Sequence, residues 1–253
     1  MMSERFSESI PANSQTEGNA RPRAVVLASG GLDSQVSMGL AARRFELVEA
    51  ITFDYGQQAV RQEIAAASRF CAHYGCPHRV ISLAFLGDVL VSALTAADPQ
   101  VIPLLTSRDL ESDARCQETA KAVWVPNRNG LFLNIAAAIA EKAGADWIIC
   151  GFNREEAATF PDNSQEFMDI ANLFFHFSTA NSLRVWSGTI GSDKTDIVRQ
   201  AQTAEIPLGY FWSCYRGDGD VMCGRCESCQ RARRALQAAG AWESERHRFA
   251  EQS

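Results

Sequence analysis

The sequence predicts an α/β fold: a doubly wound, mostly parallel sheet followed by a cysteine-rich C-terminal appendage. Three observations support this prediction. Short apolar runs alternate with helical patterns, two adjacent glycines follow the first of these runs, and four of the eight cysteines cluster near the end. Alternating strands and helices favour parallel strands joined by right-handed crossovers, with helices on both faces of the sheet.

The spacing of apolar residues and of Gly and Pro breakers places each element in order. The expected strands lie at 24–28, 47–53, 78–83, 147–151 and 183–187. The expected helices occupy an amphipathic stretch up to Arg44, then 59–73, 129–143, 165–177, a stretch from Lys194 that Asp193 caps, and 227–239. Residues 84–122 are irregular, so we expect them to leave the sheet.

Composition divides the chain into three parts. Residues 1–22 are polar and lack a signal sequence, so we expect a disordered tail. Residues 23–208 form the expected α/β domain, and 209–253 form the cysteine-rich segment and its helix. No apolar run is long enough to span a membrane, which predicts a cytoplasmic protein. The net charge of −6 argues against nucleic-acid partners.

The two adjacent glycines lie in LASGGLDSQ, directly after the first strand. Ligands of open α/β sheets bind at the carboxyl ends of the strands. Gly30 and Gly31 let the backbone turn and present N–H groups to an anion at the positive end of the next helix. Ser29 and Ser34 are able to donate to phosphate oxygens, whereas Asp33 suits a bound Mg²⁺. The alternative is an ordinary glycine turn with a Ser or Asp cap.

The C-terminal cysteines have the spacing C-x8-C-x2-C-x2-C, formed by Cys214, Cys223, Cys226 and Cys229. Four thiolates at this spacing suit a structural, tetrahedral Zn²⁺. The alternative is an iron–sulfur cluster, which also uses C-x2-C-x2-C. Without a signal sequence, a disulfide framework is disfavoured.

Four stretches together resemble the 7-cyano-7-deazaguanine synthase family of PP-loop ATP pyrophosphatases. They are SGGLDS, DYGQ, VPNRNGLFL, and WSCYRG with CGRCESC, and the resemblance covers roughly residues 24–240. It implies an adenine nucleotide α-hydrolase-like fold, a homodimer, and ATP cleaved between its α and β phosphates. The implied reaction converts 7-carboxy-7-deazaguanine and free ammonia to 7-cyano-7-deazaguanine (preQ0), through an acyl adenylate and an amide, in queuosine and 7-deazapurine biosynthesis.

The resemblance also implies roles for individual residues. ATP is expected to contact Ala28, Ser29, Gly30, Gly31, Leu32, Asp33, Ser34, Gln35, Phe53, Tyr55 and Gly56. The catalytic candidates are Ser29, Asp33, Arg128 and Lys194. Arg128 and Lys194 are expected to neutralise phosphate or the substrate carboxylate. The alternative for these two residues is surface charge near a helix start. Glu155, Glu156 and Asp162 are expected to bind the substrate's N–H groups, with a solvated acidic loop as the alternative.

Residues 151–167 depart from the family pattern, since Asn163-Ser164 replaces an expected Cys-Arg, and this leaves the substrate open. The other functions considered are a tRNA-modifying amidase or thiolase, a deazaguanine-to-protein ligase, and a non-catalytic zinc-ribbon module. Arg231 to Arg234 are expected to form a solvated helix face. Phe174, Phe175 and Phe177 are expected in the core.

Overall fold

The structure is a computed structural model that describes residues 20–89, 92–106 and 108–251. The expected disordered tail therefore lies outside the described residues, apart from 20–22. Five parallel strands form one sheet: β1 (Arg23–Leu27), β2 (Glu46–Asp54), β3 (His78–Ser82), β4 (Trp147–Ile149) and β5 (Arg184–Trp186). Their order is β3-β2-β1-β4-β5, and every pairing is parallel. The predicted doubly wound α/β class is confirmed.

Ten helices accompany the sheet within the described residues. They are α1 (Leu32–Ala41), α2 (Val60–His73), α3 (Phe85–Val89), α4 (Asp113–Val123), α5 (Arg128–Lys142), α6 (Arg154–Ala157), α7 (Gln165–Ser178), α8 (Lys194–Thr203), α9 (Glu227–Ala238) and α10 (Trp242–Glu245). Asp193 caps α8 as predicted, because its side chain accepts a hydrogen bond from the backbone of Asp196. The single turn α6 was not predicted.

Residues 84–122 leave the sheet, as expected. Their described part consists of α3, most of α4 and two short 3₁₀ turns, and contributes no strand to the sheet. Leu104 makes an isolated antiparallel bridge with Cys226, so this excursion reaches the cysteine-rich segment. None of the described helices is both long and apolar enough to cross a membrane.

Apolar side chains pack on both faces of the sheet, because successive residues of β1 point to opposite sides. Val25 packs on one face with Leu133 and Phe175. Val26 packs on the other face with residues of α1 and α8 and with Phe211, Cys226 and Leu236 of the C-terminal segment. The C-terminal segment thus shares a core with the α/β domain, while the boundary at 208/209 stays a prediction.

The outer face of α7 differs from expectation. Phe175 is buried as predicted, but Phe174 and Phe177 are 52% and 81% exposed, so their expected core position was wrong. Together with the exposed Ile170 and Leu173 they form an i, i+3, i+4, i+7 pattern along one helix face. We call these four residues the α7 stripe. The helix therefore has two apolar faces, and the sheet covers only one.

Candidate active site

A cavity of about 250 Å³ lies at the carboxyl ends of β1 and β4, where the strand order reverses. Most residues expected in the site line it: Ala28, Ser29, Gly31, Leu32, Asp33, Ser34, Phe53, Tyr55, Arg128, Glu156, Asp162 and Lys194. Four expected residues do not line it: Gly30, Gln35, Gly56 and Glu155. The topology thus brings side chains from distant parts of the sequence to one crevice.

The loop between β1 and α1 requires glycine at position 30. Gly30 has φ +77°, and a Cβ there would lie 2.3 Å from the carbonyl oxygen of Glu63. Its own carbonyl accepts hydrogen bonds from the backbone of Trp212 at 2.8 Å and from the side chain of Gln35 at 3.2 Å. Gln35 therefore shapes the loop from outside the cavity. Gly31 forms the N-cap of α1 and has no side chain to satisfy the first turn, which leaves donors for an anion.

Lys194 joins two carboxylates beside this loop. Its Nζ atom lies 2.5 Å from Oδ2 of Asp33 and 2.7 Å from Oε1 of Glu156. The Lys194 side chain is only 5% exposed, so the ion pairs are shielded from solvent. The alternative of a surface cation does not hold for this residue.

The three charges shift one another's titration. Burial raises the pKa of Asp33 to about 6, although Lys194 partly offsets this. Burial alone would lower the pKa of Lys194, but the two carboxylates overcome it and hold that pKa well above its usual value. Burial opposes ionisation of Glu156 too, yet the adjacent ammonium keeps its pKa below the usual range. Asp33 is therefore the member whose protonation changes nearest neutral pH.

Asp33 also carries an unpaired atom. Its Oδ1 is buried and has no hydrogen-bond partner in the described structure. Leaving a buried carboxylate oxygen unsatisfied is costly, and such an atom is suited to a hard cation. The donor set at this point of the cavity therefore fits the expected Mg²⁺.

Arg128 also lines the cavity. Its Nη1 atom is 3.2 Å from the hydroxyl oxygen of Tyr55, and its guanidinium lies 5.7 Å from the centre of that ring. Burial raises the pKa of Asp162 despite the nearby Arg128. The carbonyl of Asp162 accepts a hydrogen bond from Asn129 at 3.2 Å, which ties the segment after α6 to the start of α5. Arg128 and Asp162 thus face the same part of the cavity.

Two aromatic pairs line the cavity. Phe53 stacks on Phe132 with ring centres 4.2 Å apart, next to Tyr55. Trp124 and Phe160 form a second pair with ring planes 3° apart and centres at 5.8 Å. The first pair forms an apolar wall at the end of β2, and the second pair was not foreseen.

Other lining residues were also missed by sequence reasoning. Glu63 on α2 accepts a hydrogen bond from Gln57 at 2.8 Å, and burial raises its pKa. Tyr215 lies at the cavity too, and burial together with nearby carboxylates keeps the pKa of its phenol far above the usual value. Gln57 belongs to the quoted DYGQ stretch and Tyr215 adjoins Cys214, so both had a weak signal. Glu63 had none, because it reads as a polar residue of an amphipathic helix.

Glu155 is placed behind the cavity rather than in it. Its Oε1 atom accepts from Arg231 at 2.7 Å and from Arg234 at 2.6 Å, and its Oε2 accepts from the backbone N–H of Lys194 at 3.1 Å. Its oxygens are therefore already engaged by the protein. The expected solvated face at Arg231 was also wrong, since only 14% of that side chain is exposed. Arg234 is 46% exposed.

The four C-terminal cysteines converge as predicted. The sulfur atoms of Cys214, Cys223, Cys226 and Cys229 all lie within 4.8 Å of one another. The backbone N–H groups of Arg225 and Cys226 point to the sulfur of Cys223, at 3.4 and 3.3 Å. Such contacts stabilise thiolate charge, and four soft ligands at this separation fit a closed tetrahedral metal site. Cys150, outside this cluster, is a buried residue of the core.

Comparison with known proteins identifies the family. The model of a family described as queuosine biosynthesis protein QueC matches residues 23–240. This chain belongs to the QueC family. Curated relatives named 7-cyano-7-deazaguanine synthase include one from Carboxydothermus hydrogenoformans, 50% identical, covering 84% of this chain and 97% of the relative. Another, from Desulforudis audaxviator, is 48% identical and covers 86% and 98%.

A relative from Methanosarcina mazei, also named 7-cyano-7-deazaguanine synthase, is 44% identical, and the match covers 86% of this chain and 95% of the relative. Among solved structures, an NMN synthetase from Francisella tularensis has a TM-score of 0.42 and 14% identity, covering 92% of this chain and 89% of that chain. Membership of the QueC family therefore comes from sequence similarity along most of the described chain.

Proposed function

We propose that this protein is an ATP-dependent carbon–nitrogen ligase that converts 7-carboxy-7-deazaguanine and ammonia to 7-cyano-7-deazaguanine. The observation that carries the proposal is the Lys194 ion-pair cluster beside the glycine loop, in a chain that is 50% identical to a relative named for this product. Membership of the QueC family disfavours the tRNA-modifying, protein-modifying and non-catalytic alternatives.

The chemistry starts with activation of the acid. A carboxylate oxygen of the substrate attacks the α-phosphorus of ATP, and the bond to the bridging oxygen breaks as pyrophosphate leaves with the electron pair. Ammonia then attacks the acyl carbon of the adenylate, AMP departs, and one ammonia proton is lost to give the amide. Removing the amide oxygen needs a comparable leaving group. That oxygen attacks the α-phosphorus of a second ATP and pyrophosphate leaves; AMP then departs with the oxygen while the two N–H protons are lost, which gives the nitrile.

The residues of the loop suit the departing pyrophosphate. The open N–H groups at the start of α1 and the hydroxyls of Ser29 and Ser34 lie at the cavity wall. Lys194 and Arg128 bring positive charge to the cavity. A preorganised set of such donors stabilises charge that develops on the leaving group.

The residues described above fit the expected Mg²⁺ and Zn²⁺. Asp33 would hold Mg²⁺, which would neutralise phosphate charge when bound. The four clustered cysteines would hold Zn²⁺ as a structural ion that links the loop residues Cys214 and Cys223 to the start of α9. Asp162 and Glu156 are the carboxylates at the cavity that remain as candidates for the substrate's N–H groups.

We further propose a cytoplasmic homodimer in which the α7 stripe meets its symmetry mate. Contiguous exposed apolar patches mark interfaces, and a two-fold axis brings the same patch of both subunits together. A reducing compartment suits the four cysteines outside the cluster. The net charge of −6 supports small-molecule rather than nucleic-acid partners.

The activity is tested by incubating the protein with 7-carboxy-7-deazaguanine, ATP, Mg²⁺ and ammonium. Mass spectrometry should show the amide and then the nitrile, and labelled pyrophosphate should exchange into ATP when the acid is present. Unchanged acid from folded, metal-loaded protein would contradict the substrate assignment. Exchange with another acid would instead support a different adenylating reaction.

A further inference from the structure

The side chain of Arg231 links the cysteine-bearing helix α9 to the active-site cluster. Its Nε and Nη2 atoms lie 2.9 and 2.7 Å from Oε1 of Glu227, and its Nη1 atom lies 2.7 Å from Oε1 of Glu155. Glu227 is held on its other side by Thr119 of α4, at 2.7 Å. A guanidinium presents several donors in fixed directions, so it is able to bridge two carboxylates at once.

Glu155 carries this contact forward to α8. Its Oε2 atom accepts a hydrogen bond from the backbone nitrogen of Lys194, the first residue of that helix. The next residue, Glu156, accepts from Nζ of Lys194 at 2.7 Å. Arg231 therefore acts on Lys194 at its backbone through Glu155, and at its side chain through the turn that carries Glu156.

That turn depends on outside contacts for its position. The helix α6 consists of only four residues, and a single helical turn has no stability of its own. Asn153 caps it by accepting from the backbone of Glu156 at 2.9 Å. The other contacts described for the turn's acidic side chains are those of Glu155 with α9 and α8 and of Glu156 with Lys194.

We propose that Arg231 is a positioning residue, which holds Glu155 and thereby fixes α6 and Lys194 against Asp33. Arg234 also contacts Glu155, but it is far more exposed than Arg231 and touches only one carboxylate. Loss of Arg231 leaves the buried carboxylate of Glu227 and the largely shielded carboxylate of Glu155 with fewer partners. The kinetic part of this inference rests on the proposed function, whereas the structural part does not.

The test compares Arg231→Met with Arg233→Met in the full-length, metal-loaded protein. Arg233 lies on the same helix but stacks over Trp242, with 5.0 Å to the ring centre. In Arg231→Met we expect kcat for pyrophosphate exchange to fall about tenfold or more with little change in KM for ATP, because small misplacements of a catalytic cation are costly. Arg231→Lys should recover part of the loss, and Arg233→Met should match the wild type.

Hydrogen exchange followed by mass spectrometry separates positioning from general destabilisation. Peptides that contain α6 and the amide of Lys194 should exchange about tenfold faster in Arg231→Met, as expected for local opening. Peptides of the cysteine-rich segment and the bound metal should stay unchanged. This readout needs no turnover, so it stands even if the proposed substrate is wrong.

If Arg231→Met does not fold, Glu155→Gln tests the same contact from its other side, because Glu155 lies outside the cysteine-rich segment. It keeps the side-chain shape and loses the ion pairs, so it should reproduce the kinetic and exchange changes. The double variant should be no slower than the slower single variant, because the two substitutions break the same series of contacts between α9 and Lys194. Unchanged exchange at Lys194 in both single variants, or losses that multiply in the double variant, would overturn the proposal.

Discussion

The ammonium of Lys194 lies 2.5 Å from a carboxylate oxygen of Asp33, so the first residue of α8 is paired with the first turn of α1. Lys194→Met should lower the rate of pyrophosphate exchange about 100-fold, since charge on the leaving group loses a preorganised partner. Folding stability should drop by about 3 kcal/mol, because two shielded carboxylates are left together. Urea denaturation measures the second effect.

The matched control for this variant is Lys142→Met, at the exposed C-terminal end of α5. It removes the same charge far from the cluster and should change neither quantity. Equal losses in the two variants would show that the Lys194 pairing has no special role.

The pH dependence of activity should follow Asp33. Burial raises its pKa to about 6, and a protonated carboxyl does not bind Mg²⁺. We expect kcat/KM for ATP to fall as the pH drops through about 6, since this ratio reports groups of the free enzyme. A ratio that stayed constant down to pH 5 would contradict the assignment.

The Asp33 carboxyl should affect folding stability in the opposite direction: as the pH falls, activity should decrease and folding stability should increase. The folded-state pKa of Asp33 lies above the unfolded value, so the folded state binds more protons between the two values. Relative to Asp33→Asn, the wild type should therefore gain stability as the pH falls from about 6 towards about 4. Denaturation of both proteins across this range measures the difference.

Gly30→Ala should damage the loop more than its backbone angle alone explains. Gly75 has a similar positive φ, but nothing lies within 4 Å of a Cβ there, so Gly75→Ala isolates the cost of the angle at about 1 kcal/mol. Gly30→Ala adds the clash with Glu63 and should also weaken ATP binding at least tenfold, as a roughly 1.4 kcal/mol loss would. Equal stability and binding in the two variants would show that the close approach is unimportant.

Cys226→Ser should lose the bound metal and most of the soluble protein, because that residue is fully buried at the start of α9. Cys116→Ser, outside the cluster, should keep both. Elemental analysis should find about one zinc per chain. Iron with visible absorption would support the iron–sulfur alternative, and an active, soluble, metal-free Cys226→Ser would contradict a structural metal.

Phe177→Asp should convert the proposed dimer to a monomer, since it places a charge in the apolar contact that the dimer would bury. Phe85→Asp changes an equally apolar exposed residue on α3 and should leave the dimer intact. Light scattering after size exclusion measures both masses. A wild-type monomer at micromolar concentration would contradict the dimer.

The strands and the cysteine cluster were predictable because their signals are local. Buried parallel strands are continuous apolar runs, and the cysteine spacing fixes which sulfurs converge. The position of Glu155 was not predictable, because its partners Arg231 and Arg234 lie far along the chain. Periodicity located α7 correctly but did not show which of its apolar faces the sheet covers.

The backbone of Trp212 donates to the carbonyl of Gly30, so a late part of the chain completes a loop formed at its beginning. During synthesis, residues 29–34 leave the ribosome long before this partner exists. The nascent chain thus lacks a finished nucleotide pocket until the segment after the last strand has been made, and cleavage before Trp212 should abolish ATP binding even though every residue of the loop remains.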